Sequence, residues 1–152
     1  MADDLSDLLD RDHVTARITA LFVATDERDW ETVARCFTRE VLFDMASAGG
    51  GEARRATADH ITDGWRNSLA ALQAIHHQVG NFRVQVQGAR ATAACYGIAY
   101  HYLPNPTGRN TRVFVGTYDF ELVRDDPTWR ISRFRFNLKF VDGNPDLELA
   151  IA

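Results

Sequence analysis

Among the side chains of this sequence that can move protons, three stand out: Asp26, His77 and His101. An imidazole titrates close to neutral pH, so it can take a proton and give it back at pH 7. A carboxylate aimed at such a ring holds one tautomer and favours the protonated form. Asp26 follows directly on an apolar helical stripe, whereas Glu27 and Asp29 fit a solvated helix end better. His76 and His77 are adjacent, so in an extended segment one faces inward and the other outward. His101 lies late in a run whose same-parity neighbours are Ala91, Ala93, Cys95, Gly97 and Ala99. A lone histidine on such a face reads as a hydrogen-bonded core residue. A second inward histidine and a carboxylate change that reading to a catalytic one. His13 and His60 fall in the first turns of helical stretches and read as solvated, and Asp44 is a strand acid less clearly directed inward.

Other chemistries lack their signatures. There is no Gly-x-Ser-x-Gly elbow and no His-Glu-x-x-His helix. The run Ala46 to Gly51 is not followed by Gly-Lys-Ser/Thr and lacks dinucleotide-fingerprint spacing, so it reads as a flexible loop at a pocket mouth. Cys36 and Cys95 have no CxxC spacing and sit among apolar neighbours, as buried thiols do in a reducing compartment. His77, His101 and Asp26 are of metal-ligating types, but the sequence gives no ligand count or second shell for them, and neither a metal nor an organic cofactor is expected.

Positioning these groups is the task of a single domain. Met1 to Arg11 reads as a mobile acidic lead-in, Asp12 to Asn144 as the domain, and Pro145 to Ala152 as a tail. Asp12 can cap a first helix carrying Val14, Ile18, Leu21, Phe22 and Thr25 on one stripe. Asp29 can cap a short second helix through Trp30, Val33, Cys36 and Phe37, and a strand follows over Val41 to Met45. Thr57 can cap a third helix with Ile61, Trp65, Leu69 and Leu72 on its apolar side. Strands are then predicted over 77–87, 91–103, 111–124 and 128–141, separated by turn residues. Helices first and an antiparallel meander last define an α+β layer fold.

The strand at 91–103 is small on one face and bulky on the other, with Tyr96, Ile98, Tyr100 and Tyr102 on the bulky side. The bare face leaves room for helices and a pocket. The bulky face calls for cover by further copies of the chain, as a homodimer or homotrimer. Tyr118 shares a parity with Phe114, Gly116, Phe120 and Leu122, a set that should point inward. Asn137 shares a parity with Trp129 and Ile131 and is placed with the pocket on that ground. Phe22, Met45 and Trp65 complete the expected walls.

Composition narrows the partners. The 152 residues carry a net charge of −4, with 45% hydrophobic and 25% charged residues. Nucleic-acid-binding domains are usually basic, so nucleic acid is not the expected partner. No apolar run is long enough to span a membrane, and the acidic start Met1-Ala2-Asp3-Asp4 does not read as a secretory signal, so a cytoplasmic location is expected.

Four local marks carry a resemblance. They are Ala24-Thr25-Asp26-Glu27-Arg28-Asp29-Trp30, His77-Gln78-Val79-Gly80-Asn81, Tyr100-His101-Tyr102 and Thr128-Trp129-Arg130-Ile131. In this order, over roughly Asp12 to Asn144, the chain resembles the SnoaL-like group of the nuclear transport factor two-like superfamily. It is similar to the branch with scytalone dehydratase, bile-acid dehydratase and hexachlorocyclohexane dehydrochlorinase, with ketosteroid isomerases and polyketide cyclases as wider relatives. The resemblance implies a cone-shaped α+β fold, with a strongly curved antiparallel sheet wrapped around helices and an apolar pocket. It implies that Asp26 and His77 match the proton-abstracting pair, and that His101 matches a second pocket histidine. Thr25 and Met45 stand where scytalone dehydratase places water-orienting phenols, a departure that bears on dehydration but not on proton abstraction. The expected function is a cofactor-independent lyase or isomerase acting on an apolar cyclic substrate. The alternatives are a non-catalytic binding module, a polyketide cyclase-like enzyme and an accessory dimerisation domain.

Overall fold

The computed structural model describes residues 2–151. Helix α1 runs over Ala2–Asp26 and buries Val14, Ile18 and Leu21 completely, at the spacing that puts one face of a helix on a core. It begins well before Asp12. Residues 2–11 are therefore helical turns rather than the expected lead-in. A long-range ion pair anchors this stretch at its end: Arg124 grips both carboxylate oxygens of Asp10 at 2.8 and 2.7 Å, and the Trp129 indole donates to Asp10 at 3.4 Å. Such a fork-to-carboxylate pair is geometrically selective.

Helix α2, Trp30–Arg35, is capped by the Asp29 carboxylate, which accepts from the Thr32 amide. Strand β1 is Phe37–Asp44 and the short β2 is Arg54–Thr57, which sequence patterning did not reveal. Helix α3, Ala58–Ser68, is capped by Thr57 accepting from the His60 amide. Four long strands complete the chain: β3 Ala74–Gln87, β4 Arg90–Tyr102, β5 Thr111–Asp125 and β6 Thr128–Gly143. The sheet order is β2-β1-β6-β5-β4-β3. The meander β3 to β6 is antiparallel, but β1 lies parallel to β6, so the curved sheet is mixed.

The small face of β4 is the inner one. Ala91, Ala93, Cys95, Ala99 and His101 are all buried, and a Cβ on Gly97 would stand 2.2 Å from the Tyr118 ring. That close approach is what glycine permits here. Cys95 and Cys36 are buried free thiols, and burial pushes the Cys95 thiol up to about 12. The outer face carries Tyr96, Tyr100 and Tyr102, with Tyr96 47% and Phe140 of β6 53% exposed.

Two extra residues in β6 reset which side chains point inward. Leu122 pairs with Ile131 and Glu121 with Arg133, so Ser132 bulges. Before the bulge Trp129 and Ile131 are buried; after it Phe134 and Phe136 are. Asn137 is consequently not in the pocket. Its amide donates outside, to Thr117 Oγ1 at 3.2 Å and Asp119 Oδ2 at 2.8 Å. A second bulge, at Lys139, turns Phe140 outward.

The C-terminal segment also docks. Leu147 is fully buried in a small cluster with Leu72, Ile75 and Leu103. Among the described residues no helix is long and apolar enough to cross a membrane.

Candidate active site

Asp26 is the last residue of α1. A carboxylate at the negative end of a helix dipole is locally disfavoured. Two hydrogen bonds offset this. The His77 backbone N–H donates to Oδ2 at 2.8 Å, and His77 Nδ1 stands 2.6 Å from Oδ1. Arg28 holds the helix end in place. It adopts a left-handed φ of 59°, which stops the helix, and its guanidinium donates to the carbonyls of Leu69 at 3.0 Å and Leu72 at 2.6 Å. The end of α1 is thereby tied to the connection that leads into β3, three residues before His77.

An ionised carboxylate only accepts, so Nδ1 of His77 carries a proton, and in the neutral ring Nε2 is then the nitrogen with the lone pair. His77 and Asp26 are 12% and 17% exposed, sheltered but not sealed. His76 faces solvent.

Strand register brings in the second histidine. Ile75 pairs with His101 and His77 with Ala99, which makes His77 and His101 diagonal neighbours on the inner face. His101 is buried, with Nδ1 3.0 Å from Nη2 of Arg112. Arg112 is itself clasped by Glu148 at 2.7 and 2.6 Å. Burial first, then the charge of Arg112 and that of His77, bring the His101 pKa down to about 4, against opposing pulls from Glu148 and Asp26. His101 is therefore neutral at pH 7.

The two histidines open onto a cavity of about 380 Å³ walled by Phe22, Met45, Trp65, Phe114, Tyr118, Phe134 and Phe136. Tyr118 packs with ring centroids 4.8 Å from both Phe22 and Phe136. Burial raises its phenol above the ordinary range, so it is an uncharged hydroxyl. Ala48 and the exposed Gly49 and Gly50 also line the cavity. This loop is stapled: Ser47 Oγ donates to the Phe136 carbonyl at 2.7 Å and accepts from the Leu138 amide at 2.9 Å. A larger hollow of about 500 Å³ lies between arginines and acids that include Arg83, Asp119, Glu121 and Arg133. Among the described residues no histidine or cysteine lines it, and Arg133 is 3.5 Å from Glu121, so the candidate site is the inner cavity.

Of the residues expected at the site, Asp26 anchors His77 from the end of α1. His77, His101, Phe22, Met45, Trp65 and Tyr118 all line the cavity, and Asn137 does not. Arg28, Arg112 and Glu148 were not foreseen. The inward parity of Arg112 with Phe114 was the available signal for one of them. Among the described residues, no group of three or more His, Cys, Asp or Glu side chains is arranged to hold a metal ion.

A curved sheet closed by helices around an apolar cavity defines a nuclear transport factor two-like α+β protein. A family model described as a SnoaL-like domain matches residues 6–135, and the chain belongs to that family. The Kfla4162 protein from Kribbella flavida has the same fold, with TM-score 0.85, 24% identity, and coverage of 95% of this chain and 98% of that one. Hexachlorocyclohexane dehydrochlorinase LinA type 3 from Novosphingobium barchaimii superposes with TM-score 0.75 at 14% identity, covering 93% and 94%. The uncharacterized protein Rv2910c of Mycobacterium tuberculosis is 27% identical over 130 residues, 85% of each chain.

Proposed function

We propose that the protein is a small lyase or isomerase that removes a proton from an apolar cyclic substrate held in the inner cavity. The observation that carries this reading is the Asp26–His77 pair, with Nδ1 engaged at 2.6 Å on a ring that lines the cavity. His77 Nε2 takes a proton from an acidic C–H. The imidazolium that forms is stabilised by the Asp26 carboxylate, which stays ionised. The electron pair left on carbon then expels a leaving group or moves into a neighbouring double bond. His77 returns its proton to the departing group or to another carbon.

The lining supports the substrate class. Among the described residues no lysine, arginine, aspartate or glutamate lines the cavity, so it suits a neutral molecule, and its aromatic walls suit a ring. A module that only binds apolar molecules has no use for a sheltered ionisable pair, which is costly to desolvate. The fold shared with a dehydrochlorinase is compatible with this reading. The outer tyrosine face belongs to the same proposal, as the surface through which two or three copies of the chain associate.

The test is a screen of neutral cyclic ketones and alcohols, followed by NMR of hydrogen–deuterium exchange at their acidic C–H positions. Wild type should accelerate exchange, and His77→Ala should not. Binding with equal exchange by both proteins would make this a binding module.

A further inference from the structure

His101 and His77 share a cavity and a side-chain type, but their Nδ1 atoms meet opposite partners. His77 Nδ1 faces a carboxylate and His101 Nδ1 faces a guanidinium. A guanidinium has five N–H donors and no acceptor. Contact with it at 3.0 Å therefore requires a lone pair on His101 Nδ1. The single proton of the neutral ring must then sit on Nε2. Among the described residues no protein group bonds that nitrogen, and the ring lines the cavity.

Arg112 does not reach His101 by chance. Glu148 takes both terminal nitrogens of Arg112, and the Pro145 carbonyl accepts from Nη1 at 3.3 Å. Leu147, between them in sequence, is fully buried and pins the segment to Leu72, Ile75 and Leu103. The Arg112 guanidinium also lies 5.5 Å from the Phe114 ring centre, and Phe114 packs against the His101 ring at 5.3 Å. One ordered chain thus runs from the C-terminal turn to the histidine.

We propose that Arg112, clasped by Glu148, is a positioning residue that locks His101 as the Nε2–H tautomer, so that His101 serves as a fixed hydrogen-bond donor to substrate and not as a second proton carrier. This rests on the proton-abstraction reading and deepens it. The cavity then presents one nitrogen lone pair, on His77, and one N–H donor, on His101, at diagonal positions of β3 and β4. It selects a substrate with an oxygen acceptor, such as a carbonyl, placed across from the acidic C–H. Charge that develops on that oxygen is met by a donor already in place. The one proton that moves is carried out and back by His77. The titratable and charged groups facing His101 are Arg112 from β5, Glu148 from the C-terminal turn, His77 from β3 and Asp26 from α1.

The experiment is long-range ¹H–¹⁵N NMR of the ligand-free full chain labelled at histidine, which reads the tautomer of each ring directly. In wild type, His101 should show a bare Nδ1 and a protonated Nε2, unchanged between about pH 5 and 8. Arg112→Met should mix the two tautomers and move the His101 titration up toward the ordinary histidine range. Arg112→Lys, which keeps a cationic donor, should restore the Nε2–H form. Glu148→Gln should loosen the lock part way. A wild-type His101 that carries its proton on Nδ1, or that titrates between about pH 5 and 8, overturns the proposal without any variant. So does an Arg112→Met protein whose His101 signals match wild type. A failure of the catalytic reading is separate: it appears as equal C–H exchange by wild type and His77→Ala, whatever tautomer His101 adopts.

Discussion

The two sides of the cavity hold the same chemical group in opposite electrostatic settings. On the α1 and β3 side, His77 leans on the Asp26 carboxylate at 2.6 Å and is partly open to solvent. On the β5 and C-terminal side, His101 is buried against Arg112, a permanent cation. A carboxylate stabilises an imidazolium, whereas a guanidinium opposes one. The contrast shows that residue type alone does not assign a proton-transfer role. In the proposed reading, the charge and hydrogen-bonding sense of the partner divide the work between two identical side chains.

That contrast breaks first at His77. Removing a positioned general base costs on the order of 10²–10⁴ in rate, so His77→Ala should lose C–H exchange by about that factor while ligand affinity changes far less. Asp26→Asn keeps the shape and removes the charge, and should cost a smaller part of the same rate. An Asp26→Asn protein with undiminished exchange would end the distinction between the two sides.

Stability against pH probes the other side. The folded pKa of His101 is about 4 against an ordinary 6.5, so the folded state takes up its proton later than the unfolded chain. The contribution of His101 is therefore fully present above about pH 6.5 and is lost progressively as the pH falls toward about 4, at most about 3 kcal/mol. Glu148, whose carboxyl is held low by its bonds to Arg112, adds a loss in the same direction at more acidic pH. Urea unfolding at several pH values should show this slope, and His101→Gln should flatten it. A wild-type stability that does not change over that window would contradict the buried neutral ring.

Gly97→Ala tests the packing of the Tyr118 cavity wall on β4 without touching the partners of either histidine. The new methyl group would meet the Tyr118 ring at 2.2 Å, and overpacking of this kind typically costs about 1–3 kcal/mol. Calorimetry should show the loss, and ligand affinity should fall, while both histidine tautomers stay as in wild type. The smallest effect on the site is expected from the outer face. Tyr100→Arg should shift light scattering from a dimer or trimer toward monomer and leave C–H exchange per chain nearly unchanged. A wild-type monomer would remove the assembly proposal and leave the comparison between histidines intact.

Local pattern was enough for much of this molecule. The alternation along β4 marked Ala91, Ala93, Cys95, Gly97, Ala99 and His101 as one inner face, because side chains in a strand alternate whatever the partner. Asp29 and Thr57 announced α2 and α3 because capping bonds span only three residues. Asp26 stands out in the sequence as an acid directly after an apolar helical stripe.

What stayed hidden depended on distant chain. Alternation places Asn137 with Ile131, but the Ser132 bulge arises from pairing with Glu121 and Leu122 and moves it outside. The helical character of residues 2–11 accompanies the bond between Asp10 and Arg124, 114 positions away. The edge strand β2 is four residues, too short and too charged for a period to register. Local pattern alone settles the long strands, the capped helices, the inner face of β4 and the candidates Asp26, His77 and His101, because helix and strand periodicities and caps act over a few residues. Only the tertiary structure decided which partner each histidine meets. Arg112 reaches His101 from the neighbouring strand and is held there by Glu148, 36 residues further on, and a contact of that span forms only when the whole chain is folded.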